Sequence, residues 1–222
     1  MLDYFSKNHP LTSFRTYFSL RARNKMYGIF LRELNPVADD MVLDLGVTPD
    51  IDLKESNFFE SLYPHKKNLL AVSIEDVSKL QTLYPEIRFQ KIAPGKLPFA
   101  DSQFDILFCS AVIEHVGSRE NQAEFLKEIA RVSKRFFITT PNRWHPVEFH
   151  TLLPFLHWLP QGVHQKLLKM LGYDFLSRTE NLNLLDKKAL HEIAPINFRV
   201  KFIHIKLLGF TSNLIVCGSK LA

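Results

Sequence analysis

Residues 97–116 read LPFADSQFDILFCSAVIEHV, and within them residues 104–110 form an apolar run that polar and turn residues bound. A short run of this kind is typical of a strand buried on both faces, as strands of a parallel sheet are. The same pattern occurs at four other places, residues 41–46, 68–74, 87–92 and 136–140. The chain therefore contains at least five candidate strands of one buried sheet.

Segments with helical periodicity lie between these strands, at 56–62, 75–83 and 118–133. Strand and helix alternation at this spacing predicts right-handed crossovers and a parallel sheet covered on both faces. After Pro141 the alternation stops until a short helix predicted at 186–194, and the tail predicts two strands, at 200–208 and 213–219, joined near Gly209. We expect a single domain over 1–222, with an N-terminal helical extension at 1–37 and an insertion at 141–185.

Composition narrows the class of protein. The chain has 46% hydrophobic residues, a formal net charge of +5 and two cysteines, Cys109 and Cys217, both in apolar runs. No window approaches the roughly 20 apolar residues that span a bilayer, and no export signal is visible, so we expect a cytoplasmic protein without a transmembrane segment. Arg21, Lys25 and Arg32 belong to an amphipathic N-terminal helix, which we interpret as packing its apolar face and leaving its basic face in solvent.

The stretch 97–116, together with 42–46 and 125–132, resembles the signature of class I S-adenosylmethionine-dependent methyltransferases of the small-molecule type, methyltransferase type 11. The resemblance covers about residues 38–142. It implies an α/β, Rossmann-like, doubly wound fold with a mostly parallel seven-stranded sheet, an antiparallel C-terminal strand and a helical insertion after strand five. It also implies S-adenosyl-L-methionine as the cofactor.

The resemblance carries cofactor roles onto particular residues. Asp44 and Gly46 match the acid and first glycine that face the cofactor's methionine part, but the loop continues as VTPD instead of with further glycines. The acid expected after the second strand falls on Ser73, and the adenine-facing acid falls on Ala93. Asp50 and Glu75 are the nearest replacements. The predicted cofactor set is Asp44, Gly46, Asp50, Glu75, Leu97 and Ser110, and we expect Gly46→Val to abolish cofactor binding while the chain stays folded.

Polar residues after the fourth and fifth strands are the candidates for chemistry. Methyl transfer is an in-line displacement, so an enzyme must align the acceptor and remove its proton if it is a hydroxyl. The predicted catalytic residues are His115, His150 and Asn142, with His145 as a further candidate base.

The same part of the sequence offers ligands for a metal ion. Glu114, His115, Glu148 and His150 could bind a divalent cation, and the Glu-His pair resembles part of the metal set of ubiquinone-pathway O-methyltransferases. Their additional acid would fall near Ala111, so the sequence predicts no metal.

The insertion is rich in apolar and aromatic residues, most of which we expect in the core, and its remainder can form a lid over a hydrophobic acceptor. The main hypothesis is methyl transfer to a small hydrophobic, glycan-related or lipid-related acceptor, with peripheral membrane contact left open. The alternative is a non-catalytic binding protein that retains the fold. RNA methylation ranks last, and no nucleic-acid partner is expected, because no base-methyltransferase signature or aromatic stacking platform is present.

Overall fold

The computed structural model describes residues 12–53 and 55–221. Its helices are α1 Thr12–Leu34, α2 Phe58–Leu62, α3 Ser78–Leu83, α4 Arg119–Val132, α5 Gln161–Met170 and α6 Lys187–Ile193. Its strands are β1 Val42–Leu45, β2 Leu69–Ser73, β3 Arg88–Lys91, β4 Phe104–Ser110, β5 Ser133–Pro141, β6 Phe198–Leu207 and β7 Phe210–Lys220. A short 3₁₀ helix, Ile113–His115, follows β4.

The seven strands form one sheet in the order β3-β2-β1-β4-β5-β7-β6. Strands β1 to β5 pair in parallel, and β7 pairs antiparallel with both β5 and β6. Strand order reverses between β1 and β4, which is where open α/β sheets bind ligands at the carboxyl ends of their strands. The fold class predicted from the sequence is confirmed.

Two hydrophobic layers cover the sheet, one on each face. Helices α4 and α6 contribute Leu126, Ile129 and Leu190 to one layer. Helix α1 contributes Met26 and Phe30 to the other, together with α2. The basic residues Arg21, Lys25 and Arg32 of α1 are partly or largely exposed, as predicted for an amphipathic helix. Helix α1 is therefore part of the layered core and covers one face of the sheet.

The segment between β5 and α6 is mostly irregular and contains α5. Our expectation that most of its apolar side chains lie in the core is wrong. Leu168 is buried, but Phe155, Trp158, Val163 and Met170 are exposed, Met170 to 81%. The part of the segment around α5 has few strands or helices to pack against, so these four side chains remain on the surface. None of the helices in the described part of the chain is long and apolar enough to cross a bilayer.

Candidate active site

The carboxyl end of β1 lies against the loop that follows β4. Gly46 has a φ of +103°, and a Cβ built there would overlap the Cγ2 methyl of Val112. The amide N–H groups of Gly46 and Val47 both donate to the carbonyl of Val72 in β2. The room left by the missing side chain of Gly46 is thus taken by Val112.

Asp44 is buried beneath this loop and faces a second acid that the sequence analysis missed, Glu60 of α2, which is 1% exposed. Burial, and then the charge of Glu60 and a hydrogen bond between the two side chains, raise the pKa of Asp44 well above its usual range. Two carboxyl groups can share a hydrogen bond only if one of them is protonated. Its position in the sequence could have predicted this burial, because Glu60 directly follows two core phenylalanines in a short helix.

Asp50 organises the loop after β1. Its Oδ1 accepts hydrogen bonds from the backbone N–H groups of Asp52 and Leu53, and its Oδ2 accepts one from the Ser56 hydroxyl at 2.8 Å. Its carbonyl accepts one from the Asn57 side chain at 2.9 Å. These bonds hold the carboxylate of Asp50 on its own loop.

Glu75 and Ser73 lie at the carboxyl end of β2. Ser73 is buried and its hydroxyl accepts a hydrogen bond from the Glu75 amide N–H at 3.2 Å. The Glu75 side chain is exposed. A carboxylate in solvent at this end of the second strand can reach a ribose diol without first losing a buried partner.

Leu97 is fixed by helix α4. Its N–H donates to Glu128 Oε2 at 2.9 Å, and its carbonyl accepts from Arg131 Nη2 at 2.9 Å. Arg131 also donates to the Phe99 carbonyl and to Asp101. The backbone of the loop at 97–101 is therefore clamped to the helix behind it.

Ser110 ends β4 next to β5. Its hydroxyl lies 2.9 Å from that of Thr139, and the following residue, Ala111, has a φ of +57° and donates its N–H to the Thr139 carbonyl. This backbone turn directs the chain into the 3₁₀ helix that carries Glu114 and His115.

His115 and His150 meet across 35 residues of sequence, with their Nε2 atoms 3.1 Å apart. The His115 Nδ1 lies 2.6 Å from the carbonyl of Asn181, and the His150 Nδ1 lies 2.6 Å from Glu148 Oε1. His115 is the more exposed of the two side chains, at 35% against 13%. The structure thus brings together two of the three predicted catalytic residues.

Glu148 fixes His150 from behind. Burial raises the pKa of Glu148, but the charge of His150 and hydrogen bonds from His150 and Thr151 outweigh it and lower that pKa to about 2. Burial lowers the pKa of His150, but the charge of Glu148 and its hydrogen bond reverse this and raise it.

Glu114 completes the group that could hold a metal. It is fully buried, its Oε2 accepts the Thr140 hydroxyl at 2.9 Å, and its Oε1 has no hydrogen-bond partner in the described part of the chain. One ligand atom each from Glu114, His115 and His150 lie within 4.8 Å of one another.

The third predicted catalytic residue, Asn142, lies outside this group. Its side-chain amide donates to the Thr211 carbonyl at 2.9 Å, and its backbone N–H donates to the Ser212 carbonyl. His145 is buried, and its Nδ1 lies 2.9 Å from the Val147 carbonyl. The bonds of Asn142 hold the start of the insertion against β7, and the His145 side chain bonds within the insertion. A small half-open pocket nearby is lined by Arg143, His157, Gln161, His164, Gln165 and Leu182–Leu184.

The strand order and the antiparallel β7 are the topology that the resemblance to class I S-adenosylmethionine-dependent methyltransferases implies. Residues 57–136 match the family model described as a methyltransferase domain. A search of curated protein sequences gives no match.

Solved structures agree with the fold. A Pyrococcus horikoshii protein is 15% identical, with a TM-score of 0.59, and the match covers 99% of this chain and 94% of that one. Magnesium protoporphyrin IX methyltransferase from Synechocystis, solved with bound S-adenosylhomocysteine, is 12% identical, with a TM-score of 0.57 and coverage of 98% and 91%. A S-adenosylmethionine-dependent methyltransferase from Aquifex aeolicus is 14% identical, with a TM-score of 0.53 and coverage of 87% and 89%.

Proposed function

We propose that the chain transfers a methyl group from S-adenosyl-L-methionine to a small acceptor that is hydrophobic or related to glycans or lipids. The observation that carries the proposal is the convergence of two sets of residues at one sheet edge. Asp44 and Gly46 lie at the end of β1 and Glu75 just after β2, the strands that hold the cofactor in this class, and His115 and His150 follow the neighbouring strands β4 and β5. Solved members of the class with S-adenosylhomocysteine support the cofactor.

The cofactor side depends most on Glu75 and Asp44. The exposed carboxylate of Glu75 is suited to a ribose diol, and Asp44 lies beneath the β1 loop, on the side where the methionine part of the cofactor would bind. Leu97 and Ser110 line the sides of the proposed cofactor pocket. Asp50 supports the loop from within, through its bonds to Ser56 and Asn57.

The acceptor would bind at the exposed edge of His115. His150 contacts His115 from the other side, and Glu148 in turn holds His150. Asn142 acts there indirectly, because its bond to Thr211 fixes the start of the insertion. Methyl transfer needs a fixed line between acceptor, methyl group and sulfur, and side chains locked by hydrogen bonds supply it.

Exposed apolar side chains of the insertion support a hydrophobic acceptor. Phe155, Trp158, Val163 and Met170 are exposed on this segment. The rings of Phe155 and Trp158 are in contact, with centroids 4.9 Å apart, and adjoining apolar side chains on a surface commonly mark a binding face. A bulky apolar acceptor would cover it, and a small polar acceptor would not.

Calorimetric titration of S-adenosyl-L-methionine into the purified chain tests the proposal. We expect saturable binding, and we expect Glu75→Ala to weaken it at least about tenfold, the loss of a charge-assisted hydrogen-bond pair of roughly 1.4 kcal/mol or more. Glu86→Ala, which removes another exposed acid, is the matched control. No heat and no thermal shift at millimolar cofactor would end the enzymatic interpretation.

The second candidate is a non-catalytic binding protein that keeps the fold, and the contact between Gly46 and Val112 favours it. In the class, the backbone at this glycine approaches the ligand closely, whereas here a valine side chain fills the space. Binding of S-adenosylhomocysteine without turnover of any tested acceptor supports this candidate. Methyl transfer to any acceptor removes it.

A further inference from the structure

Three side chains from two distant parts of the chain point one ligand atom each at a common space. The Nε2 atoms of His115 and His150 are 3.1 Å apart, and Glu114 Oε1 is 4.0 Å from the Nε2 of His115. Zinc holds nitrogen and oxygen ligands at about 2.0–2.2 Å, which puts neighbouring ligand atoms roughly 3–3.5 Å apart. The 3.1 Å separation of the two histidines lies in that range, and the three ligand atoms lie within 4.8 Å of one another, so Glu114 would have to move slightly toward the histidines to share an ion with them.

Each of the three side chains is also held from its far side. The His115 Nδ1 is bonded to the Asn181 carbonyl and the His150 Nδ1 to the Glu148 carboxylate, at 2.6 Å each. Thr140 donates to the other oxygen of Glu114. Histidines that bind metals usually donate their second N–H to a carbonyl or carboxylate, which fixes the tautomer with Nε2 toward the metal. Both imidazoles have this arrangement.

The charge around the space favours a cation. Glu114 and Glu148 are both buried, and Glu114 Oε1 has no hydrogen-bond partner among the described residues. A buried oxygen without a partner is costly, and a metal ion would satisfy it while neutralising the carboxylate.

We propose that Glu114, His115 and His150 form a binding site for one divalent transition-metal ion. Two imidazoles and one carboxylate suit zinc, iron, cobalt or nickel better than magnesium or calcium, which prefer oxygen ligands throughout. Three protein ligands leave open positions, and the exposed side of His115 directs them to solvent. A metal ion in this position can act as a Lewis acid on an acceptor oxygen.

The sequence prediction of no metal rested on a missing acid near Ala111. The structure brings His150, one of the four candidate ligands in the sequence, to the adjacent pair Glu114 and His115, because the insertion after β5 folds back. The distance of His150 from that pair along the chain leaves no local pattern that predicts their contact. The proposed ligand set is therefore particular to the path of this insertion.

Metal binding to the full chain, produced without a histidine tag and stripped with a chelator, tests the proposal. We expect calorimetry to give one Zn²⁺ per chain, and Co²⁺ to give visible absorption bands of nitrogen and oxygen coordination. His115→Ala should weaken Zn²⁺ at least about 100-fold, above the roughly 10–100-fold typical of losing an outer partner. Glu114→Gln keeps the shape and should weaken Zn²⁺ about tenfold or more. His204→Ala, an exposed histidine on β6, is the control and should change nothing.

Two results would overturn the site. One is the absence of saturable one-to-one binding to the parent chain. The other is an unchanged affinity in His115→Ala and in His150→Ala, each shown to be folded by circular dichroism. The titrations contain neither cofactor nor acceptor, so a failure here leaves the proposed methyl transfer standing, and a failure to bind S-adenosyl-L-methionine leaves the metal site standing.

Discussion

Val112 occupies the space that the missing side chain of Gly46 leaves open. The glycine has a φ of +103°, and a Cβ there would overlap the Cγ2 methyl of Val112. Gly46 therefore serves two purposes, a backbone conformation that other residues rarely adopt and a close contact between the ends of β1 and β4. Gly46→Val is therefore expected to destabilise the fold as well as to weaken cofactor binding, because both the conformation and the contact belong to the fold.

Gly46→Ala is expected to lower the free energy of unfolding by about 2–4 kcal/mol, from backbone strain and overpacking together. Adding Val112→Ala should recover the part of this loss in stability that comes from overpacking and leave the part that comes from backbone strain. Urea unfolding of the parent, both single variants and the double variant should give a coupling energy of about 1–3 kcal/mol. Effects that add within roughly 0.5 kcal/mol would show that the two residues do not press on each other.

The sheet could be predicted because each strand is a short apolar run with its own boundaries. The runs at 41–46, 68–74 and 104–110 became β1, β2 and β4 with changes of one residue or less at most ends. Burial on both faces demands such runs wherever a parallel strand lies. Buried strands can therefore be predicted from short local stretches of the sequence.

The site could be predicted only in part, because polar side chains have competing uses. The sequence predicts that Asp50 contacts the cofactor and that Asn142 faces the acceptor, yet both hydrogen-bond to backbone groups. Short polar side chains at turns commonly satisfy backbone groups, and residue type does not distinguish this use from ligand contact. The meeting of His115 with His150 depends on the path of an irregular insertion, which periodicity does not encode.

Asp44→Asn is expected to change how stability depends on pH. Burial, followed by Glu60 on α2, raises the pKa of Asp44 in the folded chain, and Cys109 of β4 lies in the same environment. A raised pKa gives stability that is complete below the unfolded value of about 3.9 and is lost as pH rises toward the folded value. Asparagine does not titrate. The free energy of unfolding of the variant should therefore rise relative to that of the parent between pH 4 and pH 7, by at most about 1.4 kcal/mol per pH unit.

Guanidinium unfolding of both proteins at pH 4, 5.5 and 7 measures this gain. Asp39→Asn, at an exposed aspartate, is the control and should follow the parent at every pH. A difference between Asp44→Asn and the parent that stays constant from pH 4 to pH 7 would contradict the shared proton between Asp44 and Glu60.

Phe30→Ala is expected to cost about 3–5 kcal/mol, the usual penalty for removing a fully buried aromatic ring. Its ring packs edge-on against Phe59 at 5.1 Å, Phe108 at 5.5 Å and Phe137 at 5.6 Å. Tyr17→Ala on the same helix, at a side chain 58% exposed, should cost less than about 0.5 kcal/mol. Thermal melting of the two variants measures the contrast, and equal melting temperatures would mean that α1 is a detachable extension.

Gln122→Leu is expected to weaken both the fold and the proposed metal site without touching a ligand. Gln122 is fully buried, and its amide donates to the carbonyls of Ile113 and Asn183, at 3.0 Å and 2.8 Å. It thereby ties the 3₁₀ helix that carries Glu114 to the segment whose carbonyl, at Asn181, holds His115. Leucine fills a similar volume but removes both hydrogen bonds, which leaves the Ile113 carbonyl with only the long bond from the Val116 amide, at a cost on the order of 1–3 kcal/mol.

The same variant should bind Zn²⁺ about tenfold more weakly, as expected when the supports of metal ligands are loosened. Glu124→Gln on the exposed side of α4 is the control for both measurements. Calorimetry well below the melting temperature separates the two effects, because a folded Gln122→Leu chain that binds Zn²⁺ like the parent would show that the ligands are held independently of Gln122. Weakened binding in the folded chain, with the control unchanged, would mean that the buried amide sets the positions of Glu114 and His115 relative to each other.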